Sequence, residues 1–387
     1  MRWDIFCKVI DNHGDLGVCW RLSRDLASRG HQVRLWVDDP SALAWMAPEL
    51  GGPGHPGIEA VQWPTDEQPP AGGWPSPGEV VVEAFGCELP AGFVAGMQRS
   101  NPPRWINLEY LSAESYVERS HGLLSPVFSG PGAGLRKHFF YPGFTARTGG
   151  LLREPGLLNA RDLAQADDAT RAQRLAALGV PWQPGQRVVS VFCYPGAPVQ
   201  ALFTQLARLS TQTGGADTLV LLTPGAATAA VNAASQPPLP GLHLHALPYL
   251  AQPAFDTLLW ACDLNIVRGE DSAVRALWAG RPHIWQIYPQ DDGVHAGKLD
   301  AFMARWMAHW PPDLAHTTRA LWHAWNGLLP AGSGSDGGLD AELAPLATLW
   351  GPATWAQWAA ASRESCDELA RQPDLVTQLL QFVTAPG

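Results

Sequence analysis

Apolar residues in this chain arrive in short runs separated by helical periods. Trp3 to Ile10 is a strand-length apolar run, interrupted only by Asp4 and Lys8. After it, Leu16, Cys19, Leu22 and Leu26 recur at three- and four-residue intervals, which lines one face of a helix. Ser28-Arg29-Gly30 stops that helix, and Gln32 to Val37 begins a second strand, so the first segment reads as a βαβ unit. Further runs at Val80 to Ala84, Trp105 to Leu108 and Leu123 to Ser125 predict the remaining strands of a first half. Gly51 to Gly78 is dense in Gly and Pro, and predicts an irregular excursion between elements.

The alternation starts afresh near Arg187. Strands are expected at Val188 to Cys193, Thr218 to Leu222, His243 to Ala246, Asp263 to Val267 and His283 to Ile287, with helices between them. Residues 158–186 connect the halves, helical through Arg161 to Leu178. After Asp291 the pattern turns helical, through His295 to Trp310, Asp313 to Leu328, Pro352 to Arg371 and Pro373 to Val383, with a flexible loop at Gly332 to Gly338. The pattern is α/β, with one sheet in each half.

Composition narrows the class. A chain of 387 residues with 46% apolar content can bury two cores, and its net charge of −10 argues against nonspecific nucleic-acid binding. No stretch approaches the roughly 18 uncharged apolar residues of a membrane span, and no segment fits a signal peptide, so a soluble cytoplasmic protein is expected. The six cysteines contain no C-x-x-C pair, and the twelve histidines have no metal-ligand spacing. Eighteen tryptophans, many clustered between Trp306 and Trp358, read as core packing.

Candidate chemistry sits where strands run into helices. Arg268-Gly269-Glu270-Asp271-Ser272 follows the strand Cys262 to Val267 and precedes a helix from Ala273 to Ala279. Free N–H groups and the helix dipole there would face a diphosphate, Arg268 would pair with it, and Ser272 would cap the helix or donate a further hydrogen bond. Glu270 and Asp271 suit sugar or ribose hydroxyls better than phosphate. An ordinary acidic helix start, with Arg268 in a surface salt bridge, would use the same residues. The loop Asp11-Asn12-His13-Gly14-Asp15-Leu16-Gly17 follows the first strand and brings two carboxylates and two glycines to its carboxyl end. Helix capping is the plainer use of Asp11 and Asp15. A dinucleotide site would need G-x-G-x-x-G, which is missing, so a strand terminus and a cap are the favoured uses of Asp38 and Asp39.

These two loops occur in order with Asn107-Leu108-Glu109-Tyr110-Leu111-Ser112-Ala113-Glu114, Phe139-Phe140-Tyr141-Pro142-Gly143-Phe144, Phe192-Cys193-Tyr194-Pro195 and Trp285-Gln286-Ile287-Tyr288-Pro289-Gln290. With that order and spacing the chain resembles, over nearly its whole length, the elongation factor P arginine rhamnosyltransferases. The resemblance implies a GT-B fold, with two Rossmann-like domains facing each other across a cleft. Residues 1–157 would form the acceptor domain, 187–372 the nucleotide-sugar domain, and the terminal helix within 373–387 would pack back on the first. It further implies transfer of L-rhamnose from dTDP-β-L-rhamnose to an arginine of elongation factor P, with inversion and without a cofactor. No D-x-D triplet offers a metal site, and no nucleic acid or membrane partner is expected.

By the same resemblance Asp15 is the general base and Asp11 its essential neighbour. Phe192 and Tyr194 hold the thymine, Gln252 the base edge, and Arg268, Gly269, Glu270, Asp271 and Ser272 the rest of the donor. Asn12, Gly14, Gly17, Glu114 and Tyr288 would contact acceptor or sugar. Two other readings stay open: a GT-B transferase using another nucleotide sugar or acceptor, and a non-catalytic nucleotide-sugar-binding protein.

Overall fold

The computed structural model describes residues 1–10, 13–52, 54–63, 68–70, 72–212, 217–233, 238–290, 293–328 and 343–385. The chain divides into two compact units, Met1–Pro155 with Ala370–Gly387, and Gly156–Leu369. Asp11, Asn12, Asp291 and the loop Gly332 to Gly338 lie outside the described residues.

The first unit contains β1 (Arg2–Cys7), α1 (Gly14–Ser28), β2 (Gln32–Val37), α2 (Leu43–Met46), β3 (Ile58–Gln62), β4 (Val80–Ala84), α3 (Ala91–Ala95), β5 (Arg104–Leu108), α4 (Tyr116–Ser120), β6 (Leu124–Pro126) and β7 (Arg136–Phe140). These strands form one sheet in the order β3-β2-β1-β4-β5-β7-β6, parallel except for the β6–β7 pair. The helical stripe Leu16, Cys19, Leu22 and Leu26 is fully buried against it. Two strands differ from expectation. The Gly- and Pro-rich excursion contains β3, an edge strand whose backbone pairs with β2 from Ile58 to Gln62 although its side chains are only half-buried or exposed. Strand β7 carries Arg136, Lys137 and His138 before its two phenylalanines, so its apolar signal is too short to read as a strand.

Asp4 locks the middle of this sheet. Its fully buried carboxylate accepts from Arg34 Nε at 2.6 Å and Nη2 at 2.8 Å, from Trp36 Nε1 at 2.9 Å and from the Gly78 backbone N–H at 2.6 Å. A buried charge persists only when it is paired and hydrogen-bonded, and this one joins β1, β2 and the turn into β4. The C-terminal helix Leu375–Thr384 buries Leu375, Val376, Leu379 and Val383 in the same unit. Asp374 caps it by accepting from Thr377 N at 2.9 Å, and Arg29, just past α1, reaches Asp374 at 2.7 Å and Asp25 at 2.8 Å.

In the second unit come α5 (Leu157–Ala164), α6 (Asp168–Ala177), β8 (Arg187–Val191), α7 (Val199–Gln212), β9 (Thr218–Leu222), α8 (Ala226–Ala233), β10 (Leu242–Ala246), α9 (Gln252–Ala261), β11 (Leu264–Arg268), α10 (Glu270–Ala279), β12 (His283–Gln286), α11 (Val294–Trp306) and α12 (Pro312–Trp325), followed by helices Pro345–Trp350 and Pro352–Ala370. Its sheet is parallel throughout, in the order β10-β9-β8-β11-β12. The stretch expected to connect the halves folds as α5 and α6 within this unit. Arg171 on α6 donates to Ala261 O at 2.8 Å and to Asp263 Oδ2 at 2.6 Å.

Among their parallel strands both sheets reverse order once, between β1 and β4 and between β8 and β11. Open α/β sheets bind ligands outside the carboxyl ends of the strands at such reversals. Of the candidate loops, His13 to Gly17 and Arg268 to Ser272 follow strands at these reversals. All six cysteines are free and buried.

His283, at the start of β12, packs edge-on against Trp306 and Trp322 at 5.3 and 5.2 Å, and burial pushes its pKa down to about 4. The unfolded chain takes up this proton at about pH 6.5, whereas the fold resists it until about pH 4. The stability His283 contributes is therefore complete above about pH 6.5 and is lost as the pH falls toward 4. Between about pH 7.5 and pH 5, urea unfolding should show the native protein losing about 2 kcal/mol more than His283→Gln. Parallel pH profiles for the two proteins would count against a neutral buried imidazole.

Candidate active site

Strand register builds the site of the second unit. Ile266 pairs with Val191 and Arg268 with Gln286, so β8, β11 and β12 end side by side. Phe192 continues from β8, its N–H bonded to Ile266 O at 2.9 Å. The Arg268 guanidinium then lies 4.5 Å from the Phe192 ring centroid and 4.6 Å from that of Tyr194. Such cation–π contacts are worth about 0.5–2 kcal/mol each, more as water is excluded. Burial lowers the Arg268 pKa, with Tyr194 opposing the shift, but a guanidinium stays charged at any physiological pH. Arg268 is held by aromatic rings and is not placed in a surface salt bridge.

Gly269 makes the turn possible. Its φ of +67° is left-handed, and a Cβ there would come within 3.3 Å of the Tyr194 hydroxyl. Gln286, which the sequence reading left without a role, ties the loops together. Its Oε1 accepts from Tyr194 N at 2.7 Å and its carbonyl from Gly269 N at 3.3 Å. Tyr288 stands edge-on to Tyr194 at 5.4 Å with 45% of its surface exposed.

The expected five-residue loop is shorter than the sequence suggests, because α10 begins at Glu270 with Gly269 in the cap position. Glu270 and Asp271 belong to its first turn, and Ser272 is a buried helical residue, not a cap. A strand and a helix can meet at one left-handed glycine, which the polar run of the sequence conceals. Lys298 on α11 donates to Glu270 Oε1 at 2.8 Å, so this carboxylate does not face a phosphate uncompensated. Gln252 is the first residue of α9 and is buried. Helices α9 and α10 are fixed to each other by the buried Asp256–Arg275 pair, bidentate at 2.8 and 2.7 Å, while Phe255 packs edge-on to Phe192 at 6.1 Å. Phe192, Tyr194, Arg268, Gly269 and Tyr288 thus meet at one strand-end cluster.

In the first unit, Asp38 at the end of β2 accepts from Val9 N at 2.8 Å and so holds the start of the loop that leaves β1. Asp39 accepts from Ser41 N at 2.9 Å, as a turn cap. Gly14 and Asp15 open α1. The position before them is His13, which makes no side-chain capping bond, so Asp15 lies within the first helical turn and not at the cap. The Tyr110 hydroxyl donates to Asp15 Oδ2 at 3.1 Å, and the Tyr110 ring stacks on Phe85 at 4.6 Å. Neither aromatic was singled out from the sequence. Phe85 follows directly on β4, and that position is its only sequence signal, whereas Tyr110, two residues past β5, lies in the stretch Asn107 to Glu114 that carries the family resemblance. Among the described residues, a Cβ on Gly14 would meet nothing within 4 Å. Gly17 is buried and donates to His13 O at 2.9 Å. Glu114 sits farther along the segment after β5, where Ser112 Oγ donates to its Oε2 at 3.0 Å.

The family model described as Elongation-Factor P (EF-P) rhamnosyltransferase EarP matches residues 3–384. The chain is 40% identical over 400 residues to a protein-arginine rhamnosyltransferase of Pseudomonas aeruginosa, covering 98% of each. It is 41% identical over 397 residues to that of Pseudomonas putida, again covering 98% of each. Against the protein of that name from Neisseria meningitidis, identity is 36% over 343 residues, covering 84% of this chain and 83% of the relative. Among solved structures, one described as the basis for EarP-mediated arginine glycosylation of translation elongation factor EF-P aligns with a TM-score of 0.63 at 30% identity, over 98% of both chains. Glycosyltransferase VinC, solved in complex with DTDP, aligns at 0.50 with 12% identity, over 99% of this chain and 98% of that one, a likeness of fold alone. These neighbours are GT-B glycosyltransferases, and two Rossmann-like units are the same fold class.

Gln286→Leu should leave the buried Tyr194 N–H without its acceptor, at a cost of about 1–3 kcal/mol. Urea unfolding measures this. A loss under about 0.5 kcal/mol would show that Gln286 is dispensable to the cluster.

Proposed function

Because this chain belongs to the family of elongation factor P rhamnosyltransferases, we propose that it moves L-rhamnose from dTDP-β-L-rhamnose to one arginine guanidinium of elongation factor P, with inversion at the anomeric carbon. The observation that carries the donor half is the Arg268 stack at the N-terminus of α10. A fixed cation beside the positive end of a helix dipole is suited to a diphosphate. Lys298 compensates Glu270, which leaves that carboxylate able to accept from ribose or sugar hydroxyls. Gly269 lets the backbone approach, and Asp271 and Ser272 complete the first turn. Thymine stacks on whichever faces of Phe192 and Tyr194 the guanidinium leaves, with Gln252 at its edge.

The acceptor half rests on Asp15. A free guanidinium has a pKa of roughly 13.8, so no carboxylate removes its proton beforehand at neutral pH. Asp15 instead hydrogen-bonds the guanidinium and accepts the proton as the N–C bond forms and the bond from the anomeric carbon to the phosphate oxygen breaks. The electron pair leaves on dTDP, where Arg268 and the helix N–H groups meet the developing charge. No metal or cofactor takes part. Asp11 positions the loop or the acceptor beside Asp15, and Asn12, Gly14, Gly17, Glu114 and Tyr288 contribute contacts to acceptor or sugar. The reaction as a whole is tested by intact-mass analysis of elongation factor P incubated with this protein and dTDP-rhamnose. One added deoxyhexose is expected, and an unchanged mass would overturn the reading.

Arg268→Ala should weaken dTDP binding about tenfold or more while the variant stays folded, its stability lowered only by the two lost ring contacts. Calorimetry giving the native affinity would remove Arg268 from the donor site.

Asp15→Asn preserves size and should retain dTDP-rhamnose binding while losing turnover about a hundredfold or more, since an amide cannot take the proton. Near-normal modification of elongation factor P would sink the general-base role and move it to Asp11.

A further inference from the structure

We propose that Phe85 and Tyr110 form a positioning pair that sets the rotation of the Asp15 carboxylate. The proposal rests on the reading of Asp15 as the proton acceptor. Its starting observation is a turn made at a conformational cost. Among the described residues, two non-glycine residues have left-handed backbones, Phe85 at φ +56° and Glu88 at φ +53°, and both lie in the turn that leaves β4. An aromatic side chain rarely adopts that conformation, which costs on the order of 1 kcal/mol or more and persists only where the surroundings enforce it.

The surroundings here are strong. Phe85 N donates to Leu108 O at 2.7 Å, which prolongs the β4–β5 pairing into the turn. Cys87 N donates to Ala84 O at 3.2 Å, and the Cys87 thiol donates to Phe6 O on β1 at 3.4 Å. The turn is therefore fastened to both neighbouring strands. A glycine at position 85 would make the same turn without strain. What Phe85 adds is its ring, which lies under that of Tyr110 at a centroid distance of 4.6 Å and 25° between planes.

Tyr110 needs that support, because 41% of its surface is exposed and its hydroxyl must reach Asp15 Oδ2 at 3.1 Å. A carboxylate in a first helical turn can rotate among several arrangements. Bonding one of its oxygens to a phenol that is itself stacked selects one of them. Positional errors of about 1 Å at a reacting group cost on the order of a hundredfold in rate, which is the scale on which such a bond acts.

Steady-state kinetics on elongation factor P, varying dTDP-rhamnose and acceptor separately, distinguish positioning from binding and from folding. Tyr110→Phe keeps the stack and removes the hydroxyl, so kcat should fall about tenfold with both KM values unchanged. Phe85→Gly relieves the strain and removes the ring. Its kcat should fall to a similar degree with both KM values unchanged, and, because the ring also packs against the unit's core, thermal stability should fall modestly with it; a merely structural role for Phe85 would lower the folded fraction and leave kcat per folded molecule intact. Phe85→Tyr, which restores a ring, should retain most of the turnover. Native kcat in Tyr110→Phe, or a fall in Phe85→Gly that disappears once rates are taken per folded molecule, would overturn the proposal. So would a rise in KM with kcat intact. With Asp15→Asn measured alongside, the two failures separate: an inactive Asp15→Asn beside a fully active Tyr110→Phe removes the pair alone, whereas a near-normal Asp15→Asn removes the base and the pair with it.

Discussion

Gln286 holds the second unit's cluster together, its side chain and its backbone carbonyl each fixing one of the two loops. Parallel strands leave their last backbone groups pointing at one edge of the sheet, and the loops that follow have no ladder to keep them in register. Gln286, the last residue of β12, supplies the missing bonds, accepting from Tyr194 through its amide oxygen and from Gly269 through its carbonyl. It thereby fixes the aromatic loop after β8 relative to the turn after β11. Only with both fixed can Phe192 and Tyr194 flank the guanidinium of Arg268.

That arrangement has a consequence for recognition. A long arginine side chain normally loses rotamer freedom when it engages an anion, and part of the binding energy is spent on ordering it. Here the ordering is already done by two ring faces in a partly dehydrated place. The same burial disfavours an isolated cation, and so favours whatever anion approaches it. Glu270 sits one residue beyond the glycine and would oppose an anion, but Lys298 offsets its charge. The buried Asp256–Arg275 pair serves a different purpose, holding α9 and α10 as one block so that Gln252 and the start of α10 keep their separation.

The first unit solves a related problem with a polar core. Asp4 ties β1 and β2 at their amino ends, away from the candidate site, while Asp38 steadies the opposite end through Val9. Asp15 therefore projects from a helix whose apolar stripe is fully buried, beside a strand anchored at both ends. Rigid placement of this kind is what a proton-accepting carboxylate requires.

Periodicity alone carried most of the architecture. Most second-half strands were legible to within two residues, because strands buried on both faces, such as β9 and β11, read as unbroken apolar runs bounded by turns. Strand β3 was not, since an edge strand is held by backbone pairing that leaves little trace in its side chains. Charged residues on β7 hid it in the same way. Residue types at strand ends marked Arg268 and Asp15 as candidates, for the chemistry of an anion grip and a carboxylate is local, whereas Phe192 and Tyr194 were expected only by resemblance to the family. Sequence could not show that the rings embrace Arg268, that α10 starts at Glu270, or that Gln286, Phe85 and Tyr110 take part. Those facts follow from strand order and register, which bring together residues far apart in the chain, and that is information only tertiary structure holds.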